Sequence, residues 1–184
     1  MTVKPKERLL LNALELFSLR GFHATGIDTI LTQSKVAKTT MYRHFSSKEE
    51  LIISVLRRRD EDFRSWLIQT VDEANAEGSD KLMAVFDAYQ QWAEEADFSG
   101  CLFVKASSEF PDEDSPIHRL CTEHKKAMTQ YIRSLIEDNS IAATNDLAEQ
   151  IMLLLDGATA LAQINKQPHL FESAKELAKK IVRQ

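Results

Sequence analysis

Residues 25–51 have the sequence TGIDTILTQSKVAKTTMYRHFSSKEEL, in which two short apolar patterns flank Ser34-Lys35-Val36. The spacing predicts a helix over 27–34, a tight connection and a second helix over 38–45. The second helix has a single apolar edge to bury and is otherwise polar and basic. A helix of this size fits the major groove of DNA, which is about 12 Å wide, and offers hydrogen-bond donors to base edges. The pattern therefore indicates a helix-turn-helix unit.

The flanking residues favour a helix on each side of this unit. Residues 5–20 place apolar side chains such as Ala13 and Phe17 on one face and end at Arg20-Gly21, a cationic last turn followed by a stop signal. Ser46-Ser47-Lys48-Glu49-Glu50 predicts a capped helix start, because a serine accepts a backbone N–H and carboxylates favour the positive helix end. The helix that begins there keeps its apolar spacing to about residue 74.

These residues together resemble the tetracycline-repressor-like (TetR) family of helix-turn-helix transcriptional regulators. The resemblance covers about residues 8–55. It rests on Ala13, Phe17, Gly21, Thr25, Ile30, Val36, Lys38, Thr40, Tyr42, Phe45, Lys48, Glu49 and Leu51. Two positions depart from the family pattern: Lys35 replaces the usual turn glycine, and Thr39 replaces a common glycine of the recognition helix.

The resemblance implies that the third helix is the recognition helix and that the protein is a dimer that binds palindromic DNA. By position, Thr25 and Lys48 are expected to hold phosphates from helix N-termini, and Tyr42 to donate to a phosphate. Arg43 is the candidate for bidentate contact with guanine O6 and N7. The full set of expected DNA-binding residues is Thr25, Lys38, Thr39, Thr40, Tyr42, Arg43, His44 and Lys48. A short basic helix alone is more often a solvated face, so the prediction depends on the joint spacing.

The charge distribution agrees with a DNA-binding head. Residues 1–60 carry eleven Lys/Arg and six Asp/Glu, a net charge of +5, whereas residues 61–184 have a net charge of −10. Such an asymmetry is expected when one part of a chain meets a polyanion. Arg57-Arg58-Arg59 lies between the two parts and is either a further DNA contact or a solvated junction.

The composition indicates an all-α protein. Five glycines and four prolines in 184 residues are too few for a sandwich or barrel of many short strands. Helical spacing continues beyond residue 74, with breaks at Gly78, Gly100, 111–116 and Pro168. We expect about nine helices: a three-helix DNA-binding domain over 1–47 and a helical ligand-binding and dimerisation domain, a C-terminal bundle, over 48–184.

The last two predicted helices, 145–165 and 169–183, favour self-association. The first is apolar on all sides around 151–155, and a helix of that kind must be covered on every face. In a chain this short, a second copy can supply the extra cover. The expected homodimer interface consists of Ile151, Leu154, Leu155, Ala158, Leu161, Leu170, Ala174, Leu177, Ala178 and Ile181.

Family resemblance also implies a ligand cavity in the helical body. Its candidate lining is mainly aromatic, which suits an apolar effector with a few polar anchors, although helically spaced aromatics are more often core. The candidates are Phe86, Tyr89, Trp92, Phe103, His124, Met128, Tyr131 and Asp156. Asp156 interrupts an apolar helix, and an isolated buried carboxylate is costly. Its side chain therefore points to solvent, pairs across the dimer or lines the pocket.

The sequence gives little support for metal binding, redox sensing or catalysis. His118, Cys121 and His124 cannot all face one tetrahedral ion from a single helix, so no metal is expected. Cys101, at a predicted helix start, is either a redox sensor or a small buried residue. No catalytic or phosphate-binding motif is present, which predicts a regulator without cofactor rather than an enzyme.

The location and the competing function follow from similar arguments. The two cysteines form no disulfide framework, and the first residues lack a signal peptide. No uncharged run approaches the roughly 20 residues that span a bilayer. We therefore expect a cytoplasmic, ligand-responsive repressor. The alternative is a helical adaptor that binds another protein through residues 145–183 and has no small-molecule ligand.

Overall fold

A computed structural model describes residues 3–142, 145–167 and 169–182. These residues form nine α-helices and no strand, which confirms the all-α prediction. The break expected at Pro168 lies outside the described residues. The helices are α1 (Pro5–Arg20), α2 (Ile27–Ser34), α3 (Lys38–His44), α4 (Lys48–Glu73), α5 (Gly78–Glu94), α6 (Leu102–Glu109), α7 (Pro116–Asp138), α8 (Leu147–Asn165) and α9 (Leu170–Val182).

The chain divides into two compact units. The first unit comprises Met1–Asp62 and Leu102–His124, and the second comprises Phe63–Cys101 and Lys125–Gln184. Helices α4 and α7 contribute residues to both units. This division concerns packing, whereas the expected boundary after residue 47 concerns function and stays a prediction.

The first unit is built around α1, which packs against α2 and α3. Phe17 of α1 stacks on Phe22 with ring centroids 4.8 Å apart. Apolar side chains of α6 and the first part of α7, such as Ala106 and Ile117, are also buried in this unit. Helices that are distant in sequence therefore share one core with the helix-turn-helix pattern.

The second unit contains α5, α8 and α9, which pack against one another. Its core includes an aromatic cluster in which Trp92 lies 4.9 Å from Phe63 and 4.9 Å from Phe98, measured between ring centroids. Helix α5 ends at Glu94, and the residues after it turn so that Phe98 packs on Trp92.

Within the described residues, α8 is the one helix long and apolar enough to cross a membrane by length and composition. It packs against α5 and α9, and its buried side chains include Ile151 and Leu155. It also carries Glu149 and Asp156. The contacts with α5 and α9 account for the apolar residues on the buried side of α8.

Candidate nucleic-acid interface

The predicted turn between α2 and α3 is formed, with a lysine at its centre. Lys35 adopts the left-handed region at φ 53° and ψ 40°, where glycine avoids the clash that a Cβ suffers. The N–H of Val36 then donates to the carbonyl oxygen of Leu31 at 3.3 Å. The carbonyl oxygen of Lys35 accepts a hydrogen bond from Arg8 Nη2. Helix α1 therefore helps to hold the turn despite its unfavourable residue.

The orientation of α3 is fixed by its apolar edge. Met41 is fully buried, as are Val36 before the helix and Phe45 after it. Phe45 ends the helix in an extended conformation, and its N–H donates to the carbonyl oxygen of Met41 at 2.9 Å. Lys6 Nζ lies 5.8 Å from the centre of the Phe45 ring. A short helix anchored in this way presents its remaining side chains outward.

Those outward side chains are the predicted base and phosphate donors. Thr40 is half-buried, and the exposed residues of α3 are Lys38, Thr39, Tyr42, Arg43 and His44. Lys38 Nζ lies 3.5 Å from Asp28 Oδ1, but both side chains are largely exposed, so this pair contributes little. The helix therefore offers ammonium, guanidinium, imidazole and hydroxyl donors on one surface.

Two of the expected phosphate contacts lie deeper than predicted. Thr25 is buried, and its hydroxyl donates to the carbonyl oxygen of Gly21 at 2.7 Å. The expectation that this side chain reaches a phosphate needs correction, because its hydroxyl is engaged inside the unit. Lys48 is half-buried, and its Nζ donates to the carbonyl oxygen of Phe22 at 2.7 Å. Burial lowers the pKa of Lys48, and the nearby carboxylate of Glu109 opposes that shift.

The start of α4 carries a serine and glutamate cap. Ser47 Oγ accepts a hydrogen bond from the N–H of Glu50 at 3.1 Å. The Glu50 carboxylate in turn accepts the N–H of Ser46, and hydrogen bonding from the Ser46 side chain and backbone lowers the pKa of Glu50. This reciprocal arrangement satisfies backbone donors at the helix end. It fixes where Lys48, the first residue of the helix, leaves the backbone.

Of the three consecutive arginines Arg57-Arg58-Arg59 in α4, the middle one forms two ion pairs. Arg58 binds Glu7 of α1 at 3.1 Å and Asp62 at 2.6 Å, and the pairing with Asp62 raises its pKa. Its guanidinium therefore links α4 to the first helix within the unit. This observation favours a role for Arg58 at the junction rather than in DNA contact. For Arg57 and Arg59, both the DNA contact and the solvated junction stay open.

Two family models match this chain. "Bacterial regulatory proteins, tetR family" matches residues 9–55, and "Tetracyclin repressor-like, C-terminal domain" matches residues 78–178, more than half of the chain. The chain belongs to the TetR family. The sequence-based resemblance is confirmed, and the first match includes the helix-turn-helix region described above.

Several proteins are similar to this TetR-family chain over most of its length. The HTH-type transcriptional regulator YjdC of Escherichia coli is 25% identical over 178 residues, which cover 97% of this chain and 93% of YjdC. The HTH-type transcriptional repressor NemR of Escherichia coli is 28% identical over 141 residues, which cover 76% of this chain and 67% of NemR. A TetR-family regulator of Streptomyces coelicolor superposes with a TM-score of 0.88 at 27% identity, covering 99% of this chain and 90% of that one.

The residues expected to line a TetR-family ligand cavity divide between the two units. Phe103 and His124 belong to the first unit, where their rings stack with centroids 3.7 Å apart. His124 Nδ1 also lies 2.7 Å from Asp60 Oδ1. The other six candidates belong to the second unit. Their role as ligand contacts stays a prediction.

Four of those six are core residues of the second unit: Phe86, Tyr89, Trp92 and Met128 are buried. Burial, together with the charge of Asp156, raises the pKa of Tyr89 well above its ordinary value. Asp156 accepts a hydrogen bond from Lys125 and is partly exposed. It therefore pairs within its own chain and also reaches solvent, one of the three alternatives, while its place in a pocket or across a dimer stays a prediction.

Five of the ten expected dimer residues are buried within their own chain, and the role of the other five in a dimer stays a prediction. The side chains already covered are Ile151, Leu155, Ala158, Ala174 and Ala178. Leu154, Leu170 and Ile181 are half-buried, and Leu161 and Leu177 are exposed. The apolar residues of α8 that reach solvent most fully are Leu153 and Ile164, with exposures of 74% and 76%. Neither was among the expected residues.

Among the described residues, no group of three or more His, Cys, Asp and Glu side chains is placed to hold a metal ion. His118 Nδ1 lies 2.9 Å from the carbonyl oxygen of Phe110, and Cys121 Sγ donates to the carbonyl oxygen of Ile117. Cys101 is half-buried and precedes α6, and both cysteines are thiols.

Sequence reasoning missed two residues of α6 that contact the helix-turn-helix region. Glu109 accepts hydrogen bonds from the backbone of Phe22 and His23, and Lys105 donates to the carbonyl oxygen of Ser18. These partners are separated by 86 or 87 positions. The only local signal is an i, i+4 pair of opposite charges, which is common on solvated helices.

Proposed function

We propose that this TetR-family protein is a homodimeric repressor that binds a palindromic operator and is released from it by a small molecule in the cytoplasm. The observation that carries the proposal is the geometry of α3. Met41 alone is buried among its seven residues, while donors of several chemical types face outward. The similar protein NemR carries the name of a transcriptional repressor, which supports the direction of regulation.

In this proposal, α3 enters the major groove and its side chains have distinct tasks. Arg43 binds guanine O6 and N7, because its planar guanidinium matches that pair of acceptors. Tyr42 and Lys48 bind phosphates and fix the register of the protein on the duplex. Lys38, Thr39, Thr40 and His44 complete the surface. Thr25 supports it through the bond of its hydroxyl to Gly21 rather than through a phosphate.

The dimer supplies a second recognition helix for the other half-site of the operator. TetR-family regulators typically dimerise, and α8 has an exposed apolar side that a second copy would cover. This side, which we call the α8 face, consists of Leu153, Gly157, Ala160, Leu161 and Ile164. Its small central residues allow two helices to approach closely. To bind successive major grooves, the dimer must hold its two recognition helices about 34 Å apart, one turn of DNA.

The effector site is proposed in the second unit. The buried aromatic side chains, with the Tyr89 phenol near the charge of Asp156, suit an apolar molecule with a polar group. An effector that favours another arrangement of the dimer would weaken operator binding. By linkage, operator and effector must weaken each other's binding by the same factor.

In the decisive experiment, operators are selected from random DNA with the full-length protein. The affinity of the protein for the selected DNA is then measured by fluorescence anisotropy. We expect palindromic sites and saturable binding by a dimer, with an affinity that falls steeply as the salt concentration rises. A selection that yields no enriched sequence would overturn it and favour the protein-interaction adaptor. Compounds that release the operator are then sought by thermal shift and checked for reciprocal weakening.

A further inference from the structure

Helix α6 ends against the loop that joins α1 to α2, and its last residue binds that loop. The N–H of Phe22 donates to Glu109 Oε1 at 2.9 Å, and the N–H of His23 donates to Glu109 Oε2 at 2.6 Å. His23 Nε2 also lies 2.9 Å from the carbonyl oxygen of Glu109. Successive backbone N–H groups form a concave site for anions, and here one carboxylate occupies it with both oxygens.

The loop is shaped for this carboxylate. Gly21 adopts φ +84°, and a Cβ at that position would lie 2.5 Å from Glu109 Oε1. A larger residue would therefore meet two obstacles: the left-handed backbone and the loss of space for the carboxylate. The absence of a side chain at Gly21 allows Glu109 to approach the two N–H groups.

A second side chain of α6 contacts the end of α1. Lys105, one turn before Glu109, donates to the carbonyl oxygen of Ser18 in the last turn of α1. Free carbonyl groups at a helix C-terminus carry partial negative charge, so a cation is favoured there. Helix α6 thus places a cation at the carbonyl end of α1 and an anion at the N–H groups that follow it.

Lys48, one of the proposed DNA-binding residues, binds the same loop. Lys48 Nζ donates to the carbonyl oxygen of Phe22 at 2.7 Å, while the N–H of Phe22 binds Glu109. The nearby Glu109 carboxylate also favours the charged form of Lys48 against the cost of its burial. Glu109 therefore affects Lys48 through the loop and through its charge.

We propose that Glu109 is a positioning residue for DNA binding, which holds the Phe22–His23 backbone so that the Lys48 ammonium is directed to a DNA phosphate. This inference rests on the proposed function. It assigns a role in DNA binding to a residue that lies 65 positions after the end of α3. It makes α6 part of the DNA-binding apparatus.

The sign of one substitution separates this role from simple electrostatics. Glu109→Gln removes a negative charge, which by charge alone strengthens binding to a polyanion. If Glu109 positions Lys48, the same substitution weakens binding, because the amide –NH2 cannot accept both backbone N–H groups. Glu113→Gln is the matched control, since it removes the same charge from an exposed residue four positions later.

The experiment measures affinity of the full-length variants for the selected operator over a range of salt concentrations. We expect Glu109→Gln to bind about tenfold more weakly, and the salt slope to fall by about 0.9, the value of one phosphate contact. Glu113→Gln should bind at least as tightly as the wild type. In a Lys48→Ala background, adding Glu109→Gln should cause no further loss of affinity. Binding by Glu109→Gln as tight as by Glu113→Gln, or an equal loss with and without Lys48, would overturn the proposal.

Amide hydrogen exchange in the absence of DNA gives an independent measurement. The Phe22 and His23 amides should exchange faster in Glu109→Gln than in the wild type, and unchanged exchange would also refute the proposal. If Glu109→Gln does not fold, Glu109→Asp keeps the charge but shortens the reach and serves in the same comparison. A wild type that binds no DNA overturns the proposed function. A wild type that binds, with an unaffected variant, overturns this inference alone.

Discussion

Arg8 Nη2 donates to the carbonyl oxygen of Lys35 at 3.3 Å and so joins α1 to the turn of the helix-turn-helix unit. The bond uses the backbone of Lys35, not its side chain. Any residue at this position can therefore accept it, while only glycine would relieve the left-handed conformation.

Replacing Lys35 by glycine should stabilise the protein. A residue with a Cβ in the left-handed region costs about 1–2 kcal/mol, and glycine loses about 0.5–1 kcal/mol more on ordering. We therefore expect Lys35→Gly to raise the free energy of unfolding by about 0.5–1 kcal/mol, measured by urea denaturation without DNA. Lys35→Ala keeps the Cβ and removes the charge, so it should give no gain. An equal gain from both variants would show that charge, not backbone strain, is the cause.

The Tyr131 phenol predicts a stability effect that depends on pH. Its oxygen is buried and has no hydrogen-bond partner among the described residues. Burial, with the negative charge of Asp72 as a smaller contribution, raises the pKa of Tyr131 to about 12. Tyr131→Phe should raise the free energy of unfolding by about 1 kcal/mol at pH 7, since it removes an unsatisfied polar group.

The advantage of Tyr131→Phe should grow above pH 10. The unfolded tyrosine ionises near pH 10, and the folded one holds its proton to about pH 12. The raised pKa leaves the wild type at full stability below pH 10 and destabilises it progressively between pH 10 and pH 12, whereas phenylalanine has no such loss. Urea denaturation at pH 7, 10 and 11 measures the difference. A gap that stays constant or narrows would contradict this assignment, and Tyr42→Phe, at an exposed position, is the control at pH 7.

The helices could be predicted closely because their signals are local. Residues 27–34 match α2 at both ends, and the helix predicted to end at 45 ends at His44. The spacing of apolar residues, the turn at Lys35 and the cap at Ser47 all act within a few positions. The DNA-facing side of α3 follows from the same periodicity once Met41 is assigned to the core.

The contacts of α6 and the exposed side of α8 could not be predicted in this way. Glu109 and Phe22 are 87 positions apart, and no local pattern marks such a pair. In α8, apolar residues occur on all sides, so spacing alone does not say which side its own chain covers. Ile151 and Leu153 are equally apolar, yet the first is fully buried and the second is 74% exposed.

The α8 face predicts how the dimer is disrupted. Ile164 is 76% exposed, so a glutamate there does not enter the core of its own chain, but would be buried without a partner in a dimer. We expect Ile164→Glu to weaken dimerisation by about 30-fold, equivalent to about 2 kcal/mol, by sedimentation equilibrium. Thermal unfolding at low concentration should stay near that of the wild type. Leu19→Glu changes another exposed leucine, in the first unit, and should leave the dimer intact. Equal effects of the two variants would place the interface elsewhere.

Arg43 and Tyr42 predict different losses of DNA binding although both lie exposed on α3. Arg43→Ala removes a base contact, so it should weaken binding to the selected operator by about 1–3 kcal/mol and relax the preference at one base pair of each half-site. Tyr42→Phe removes a phosphate contact and should weaken binding to every sequence by a similar factor. Anisotropy against operators substituted at each position separates the two outcomes, and Lys166→Ala, in the second unit, controls for the loss of a positive charge. If Arg43→Ala kept the wild-type preference at every position, α3 would contact the backbone of DNA through this residue instead of reading its bases.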